Sequence, residues 1–468
     1  MPSQNNLPGL LRTNQRAWLF GFVLSVGVII LYSLTLTRHY SGDDIQKAII
    51  VENGIPGTYI WHPVNLEKEP DTLHRQIVNP RYFLEVPIAR LLMKLFRYFG
   101  WSDRALLPMQ FNHLLLGLMG VIGFYLGALR LTRPFMAFIL SIGLASSYGW
   151  WYFSTHPDFV LAGSAFLAVA LACLINLLLT RKKMSILILS IGLGISVALA
   201  ILFFLTSALF VPVIIFAVIY RFWHDFHDPR VGIISLSALI STLLLAVALL
   251  SGLIILVNDT RQQPIIEIVR TAIYLDSSAS SWFSINLGDI PRGFLGISKS
   301  IVQYPPLGTQ TPREFLSIHS GIDVVFMLAW FSIWVVIFAL PFGLIAWKWK
   351  SLGLYRTIAL VLIVWITIQI PFGILWVPTE VKWWIVILPG WFSLVALTST
   401  LYLDSDYKYS LGVLGGLFFF ICVLVINLTV FFWPQAQEDL LGARQASSII
   451  VGLSSPKDLF ISVSPSNM

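Results

Sequence analysis

The run MSILILSIGLGISVALAILFFLTSALFVPVIIFAVIY, residues 184–220, decides the fold. As one helix it would extend about 55 Å at about 1.5 Å per residue, against roughly 30 Å for the hydrocarbon core of a bilayer. As two helices, with a tight turn near Phe204 to Ser207, each half can cross once. The flanking charges choose between the two. Arg181, Lys182 and Lys183 precede the run, and Arg221 and Arg230 follow it. Lys and Arg in short loops stay on the cytoplasmic side, so both flanks lie on one face and the chain crosses twice between them. A merged helix would also put Lys348 and Lys350 outside. The split is therefore the reading that agrees with the charges along the whole chain.

Similar apolar runs lie on both sides: Ala17–Thr37, Phe111–Leu129, Pro134–Phe153, Phe159–Leu179, Val231–Val257, Gly321–Trp347, Leu354–Leu375, Trp383–Leu403 and Leu411–Phe432. With the two halves 184–204 and 205–220 they make about eleven spans of roughly 20 residues each. Composition agrees. Hydrophobic residues are 57 % and charged residues 11 % of the 468, where soluble domains carry roughly 25 % charged, and the mean hydropathy is +0.81. Soluble multidomain, disordered and disulfide-scaffold readings are excluded, and Cys173 and Cys422 sit inside apolar runs. The net charge of +7 lies mostly between the runs, where it orients the chain. No basic run with interleaved aromatics suggests a nucleic-acid partner.

Eleven spans predict an all-α polytopic membrane protein with a cytoplasmic N-terminus and Ala17–Thr37 as a signal anchor. Arg130, Arg133, Arg356 and Lys408 then join the cytoplasmic face, and Lys382 is the exception among short outer turns. One transmembrane unit covers 1–432. Two large segments, 38–107 and 258–320, fall on the extracytoplasmic side, as does the short tail 433–468. Loops of that length are usually functional, so the working surface is expected to face outward. Within the first, Arg81–Tyr98 spaces Arg90, Lys94 and Arg97 along an apolar helix, which reads as lying in the membrane interface or packed on the protein's own surface. Gly123 and Gly127 form a small-xxx-small spacing suited to helix packing.

Three short stretches can carry chemistry. Ser41-Gly42-Asp43-Asp44 follows the first span at once. A carboxylate there is costly unless solvated or partnered, and it can serve as a general base or a metal ligand; the alternative is a hydrated helix end. Thr155-His156-Pro157-Asp158 follows Trp150, Trp151 and Tyr152 in an outward turn. His156 and Asp158 are candidate ligands for a divalent metal or an acid with its orienting group, or else a Pro-initiated helix start with Asp158 near the positive helix end. Glu380 and Lys382 occupy another outward turn beside Trp383 and Trp384, where an ammonium suits a lipid phosphate or simply snorkels. His62, Arg81, Glu85, Arg292 and Arg313 are candidate substrate contacts. There is no Walker A loop, GxGxxG, paired CxxC or GxSxG, so nucleotide-driven pumps and cytoplasmic-type dehydrogenases are unsupported.

Together these positions resemble the C-type (GT-C) glycosyltransferase superfamily, integral-membrane enzymes that use polyprenyl-phosphate-linked sugars and include protein O-mannosyltransferases and the aminoarabinose transferase. The resemblance rests on acids directly after the first span, interfacial helices, many spans and two large outer loops. It lacks the WWDYG-like signature of oligosaccharyltransferases, and the short tail 433–468 is not expected to form an extended C-terminal soluble domain. It implies that Asp43, or its neighbour Asp44, is the general base or holds the metal or acceptor, that Arg81, Arg313, Glu380 and Lys382 contact substrate, and that His156 and Asp158 orient the acceptor or hold a divalent cation. It further implies an inverting hexosyl or pentosyl transfer from a lipid-linked donor to a glycan, lipid or protein acceptor, at the outer face of a bacterial inner membrane.

Two other readings remain. An O-antigen-type polymerase or ligase would lean on Arg261, Arg270, Arg292, Arg313 and His319. A lipid or solute transporter would place ionisable groups near the midplane, where the spans carry hardly any.

Overall fold

In a computed structural model of the chain, the described residues are 15–37, 48, 51, 84–102, 104–225, 229–257, 289–303, 321–353, 355–376, 378–402 and 406–432. All regular structure among them is helical: α1 (Gln15–Leu34), α2 (Glu85–Tyr98), α3 (Leu106–Ala128), α4 (Pro134–Ser146), α5 (Tyr148–Thr155), α6 (Phe159–Leu179), α7 (Lys183–Phe203), α8 (Val211–Tyr220), α9 (Pro229–Val257), α10 (Asp289–Ile301), α11 (Gly321–Trp347), α12 (Tyr355–Trp376), α13 (Leu388–Tyr402) and α14 (Asp406–Asn427). Among the described residues, ten helical segments are long and apolar enough to cross a membrane. This is an all-helical, polytopic integral membrane protein.

The deciding run breaks where the charges require. Phe204 is extended (φ −153°, ψ 102°) after α7, and a 3-10 turn, Leu205–Phe210, leads into α8. Leu202 O, at the end of α7, accepts from Leu84 N at 3.1 Å. Phe210 already packs against Trp365, inside α12, with centroids 4.2 Å apart and the rings tilted by 36°. The chain has turned back into the bundle.

The expected continuous third span, Pro134–Phe153, is corrected. It is two helices, α4 and α5, parted at Ser147, which is extended (φ −62°, ψ 137°). A break inside an apolar bundle frees carbonyls that no water can satisfy, so neighbours must do so. Tyr32 OH donates to Ala145 O at 2.9 Å, and Asn427 Nδ2 donates to Ser146 O at 2.9 Å. Asn427 also donates to Ile301 O at 2.9 Å and accepts from Gln303 N at 3.2 Å. One buried amide thus joins the break, the end of α10 and the last span. The second span starts at Leu106 rather than at Phe111, because its polar first turns are buried by hydrogen bonds rather than solvated.

Helix α3 lies close against α6. A Cβ at Gly120, Gly123 or Gly127 would stand 2.9 Å, 3.1 Å and 3.2 Å from the Cα atoms of Ala165, Val169 and Ala172. These glycines let two backbones approach within dispersion range. Helix α6 is buried along most of its length, whereas α1, α9, α11 and α14 expose large apolar side chains, Phe22, Leu244, Val336 and Phe418 among them. Such faces are stable against lipid chains and not against water. Helix α2 packs on the protein's own surface along one side. Val86, Ala89 and Met93 pack with Ala105 and Met109, while Leu91, Tyr98 and Trp101 are exposed. Alternating helix directions give the bundle two ends, one carrying His156 and the other Arg130.

Candidate active site

The first turns of α3 organise the His156 end. Gln110 Nε2 donates to Thr37 O at 2.6 Å and to Thr155 O at 3.1 Å. One turn further on, His113 Nε2 faces Asp158 O at 2.9 Å and Nδ1 faces Met109 O at 2.8 Å. Both ends of the 155–158 turn are therefore held from one helix. Glu85 Oε1 is 3.5 Å from His113 Nε2, and both side chains are almost wholly buried. The same Gln110 amide ties the exit of the first span to that turn. Asp43 lies six residues beyond Thr37, at most about 20 Å of extended chain.

His156 is 3 % exposed. It stacks on Tyr152 with ring centroids 4.0 Å apart, and its Nδ1 lies 3.1 Å from Tyr152 O. Burial lowers its pKa from 6.5 to about 4, against the opposing pull of that carbonyl. The ring is neutral at pH 7, with Nδ1 donating to the carbonyl and the Nε2 lone pair left available. Asp158 Oδ1 accepts from Val160 N at 3.3 Å and caps α6. The helix-start reading of Asp158 is realised.

Across the same end, Lys382 Nζ pairs with Glu380 Oε1 at 2.7 Å and lies 5.3 Å from the Trp383 ring centroid. Glu380 Oε2 accepts from Trp383 Nε1 at 2.9 Å. Lys382 is thus not the lone ammonium that its position in an outer turn suggests. Trp384 Nε1 donates to Pro378 O at 2.8 Å, closing the turn, and Gly293 and Gly296 of α10 lie against its indole. Lys299, on α10, is 5 % exposed, and burial lowers its pKa to about 8. Arg292 pairs with Asp289 at 3.2 Å.

An aromatic seam joins the two turns: Phe159 to Phe204 at 5.5 Å, then Phe204 to Trp383 at 5.8 Å. Trp151 stacks on Phe432 at 4.0 Å beside it. The structure therefore brings His156, Asp158, Glu380 and Lys382 to one end of the bundle, with Arg292 and Lys299 on the adjoining α10. Asp43, Asp44, His62, Arg81 and Arg313 lie outside the described residues. Gln110, His113, Asn427 and Lys299 were not singled out in the sequence. The one available signal was polar residues a turn apart at the start of an apolar run, Gln110 and His113.

The fit of a divalent cation to His156 and Asp158 is partial. His156 keeps one nitrogen lone pair and Asp158 one carboxylate oxygen beyond the capping contact. Among the described residues, however, no group of three His, Cys, Asp or Glu side chains is placed to hold a metal.

Solved structures similar to this chain include two oligosaccharyltransferase complexes and a complex with undecaprenyl phosphate. The structure of ArnT from Cupriavidus metallidurans bound to undecaprenyl phosphate matches over 89 % of this chain and 73 % of that one, with 13 % identity and a TM-score of 0.49. The Archaeoglobus fulgidus oligosaccharyltransferase tethered to an acceptor peptide matches over 93 % and 55 %, with 14 % identity and a TM-score of 0.44. The oligosaccharyltransferase AglB of the same organism, in complex with an inhibitory peptide and a dolichol-phosphate, matches over 90 % and 56 %, with 13 % identity and a TM-score of 0.40. The chain thus spans just over half the length of the two oligosaccharyltransferase structures. No family model and no curated protein matches the sequence.

Proposed function

We propose that the chain is a membrane glycosyltransferase that moves a hexosyl or pentosyl unit from a polyprenyl-phosphate-type lipid to an acceptor at the extracytoplasmic face. The reading rests on the resemblance drawn in the sequence. The observation that carries it in three dimensions is the Gln110 bracket, which sets the exit of the first span beside the His156 turn. Asp43 follows that exit by six residues in the sequence. Undecaprenyl phosphate and dolichol-phosphate, bound in two of the similar structures, are examples of the lipid class.

In the proposed step, the Asp43 carboxylate takes the acceptor hydroxyl proton as that oxygen forms its bond to the anomeric carbon. The bond from that carbon to the phosphate oxygen breaks, and its electron pair stays on the phosphate. A single displacement of this kind inverts the anomeric centre. Lys382 and Lys299, with Arg81 or Arg313, would neutralise the departing phosphate. His156 Nε2 would accept a hydrogen bond from the acceptor. A divalent cation at His156 and Asp158 would need a further ligand, which Asp43 or Asp44 can supply, and it would supply charge to the same phosphate.

The test is transfer of labelled sugar from polyprenyl-phosphate donors in membranes containing D43N, with D44N beside it. Loss of a general base should slow transfer about 10²- to 10⁴-fold. Transfer by both variants at the unmodified rate would overturn the mechanism.

A further inference from the structure

The other end of the bundle is built differently. Thr132 Oγ1 and Ser399 Oγ are 2.9 Å apart, Thr400 Oγ1 bonds to Leu131 O, and Tyr402 OH donates to Leu344 O at 2.9 Å. These contacts fasten the turn after α3, the end of α11 and the end of α13 into one platform. Four cations stand on it: Arg130, Lys348, Lys350 and Arg356. Arg130 is within electrostatic reach of the Tyr355 phenol, next in sequence to Arg356. Arg356 Nη2 donates to Lys350 O at 3.4 Å, and its guanidinium lies 5.9 Å from the Trp349 ring centroid. Lys348 Nζ lies 5.7 Å from that of Tyr402.

Among the described residues none of these four has a carboxylate at ion-pair distance, in contrast to Lys382 and Arg292. The Nε atoms of both Arg130 and Arg356 are buried without a hydrogen-bond partner. The positive-inside pattern accounts for cations at this end but not for this geometry. Topology needs the charge only, and a snorkelling side chain keeps its head in water. A guanidinium whose Nε is packed against the protein is held in place on the platform rather than freely hydrated. The aromatic faces hold the cations by their ring quadrupoles without neutralising them.

We propose that this platform binds a phosphate-bearing anion, namely the headgroup of an anionic phospholipid in the adjacent leaflet. The guanidinium fork matches phosphate oxygens in pairs, and the exposed Lys348 and Lys350 add point charges. All four residues sit at or just beyond the ends of spanning helices, the level of lipid headgroups. The site is remote from the His156 end and does not rest on the sugar-transfer reading.

The experiment melts the purified full chain in neutral detergent against added phosphatidylglycerol, phosphatidylcholine or sodium phosphate. Phosphatidylglycerol should raise the melting temperature saturably, and phosphatidylcholine should not. R130Q/R356Q should weaken that effect about tenfold or more, given the usual strength of headgroup contacts. R181Q/K182Q removes the same charge from an exposed turn at the same end and should stay within about twofold. If R130Q/R356Q fails to fold, K348Q/K350Q should show the loss several-fold. Equal losses from the platform and control pairs, or equal effects of the two lipids, would overturn the site. Full stabilisation by sodium phosphate alone would overturn its assignment to a lipid.

Discussion

The two ends of the bundle use polar side chains in opposite ways. At the His156 end they are directed inward, onto freed backbone carbonyls and onto each other. Gln110, His113 and Asn427 hold turns and a helix break, and Lys382 and Arg292 are in ion pairs. At the Arg130 end the turns are closed by hydroxyls, and among the described residues Arg130, Lys348, Lys350 and Arg356 have no carboxylate at ion-pair distance. The difference shows that irregular backbone in an apolar bundle is expensive. Where the chain breaks helices to shape a surface, it must supply internal partners, and where helices merely end, charge can stay available for an outside ligand.

Asn427 is the sharpest way to break that contrast. N427L removes two donated bonds and one accepted bond around the Ser147 break. With buried groups left unmet at about 1–3 kcal/mol each, unfolding in detergent should become easier by about 3 kcal/mol or more. A change below about 1 kcal/mol would mean that packing alone holds the break, and the proposed difference between the ends would lapse.

Acid is the next test. The buried His156 resists protonation until about pH 4, whereas the unfolded chain takes up its proton near 6.5. Below 6.5 the unfolded state therefore binds more protons, so stability falls as the pH drops from 6.5 toward 4, by up to about 3 kcal/mol. Above 6.5 this group contributes no slope. H156F, which can keep the stack on Tyr152, should flatten the slope, and R130Q/R356Q should leave it intact. A slope that survives H156F would refute the assignment.

The smallest effect should come from E380Q. Glu380 is 38 % exposed and Lys382 15 %, so loss of the pair should shift the unfolding free energy by less than about 1 kcal/mol. A larger loss would show the 378–384 turn to depend on that pair rather than on Trp384 and α10.

Much of the architecture was legible because apolar run length and flanking charge act locally. Every expected span between Ala17 and Phe432 has a helical counterpart, including the hairpin at Phe204. The unexpected break at Ser147 was not legible. Its residues are as apolar as a continuous helix requires, and the partners that make it affordable, Tyr32 and Asn427, are remote in sequence. At the site, His156, Asp158, Glu380 and Lys382 were legible as polar residues in short turns. Their engagements were not. Asp158 caps a helix, Lys382 is paired, and His113 and Gln110 hold the turn from inside a run that reads as a plain span.

From its order of residues alone, this chain is committed to the membrane, to repeated crossing and to the placement of acids directly after its first span. Hydrophobic length and charge distribution suffice for that, since each span meets the bilayer independently. Only the tertiary structure decided which turns share an end, which carbonyls are freed and which cations stand without a carboxylate among the described residues. Those outcomes depend on donors and acceptors separated by as many as 281 residues, as in the bond from Asn427 to Ser146 O. No local pattern encodes a contact of that reach.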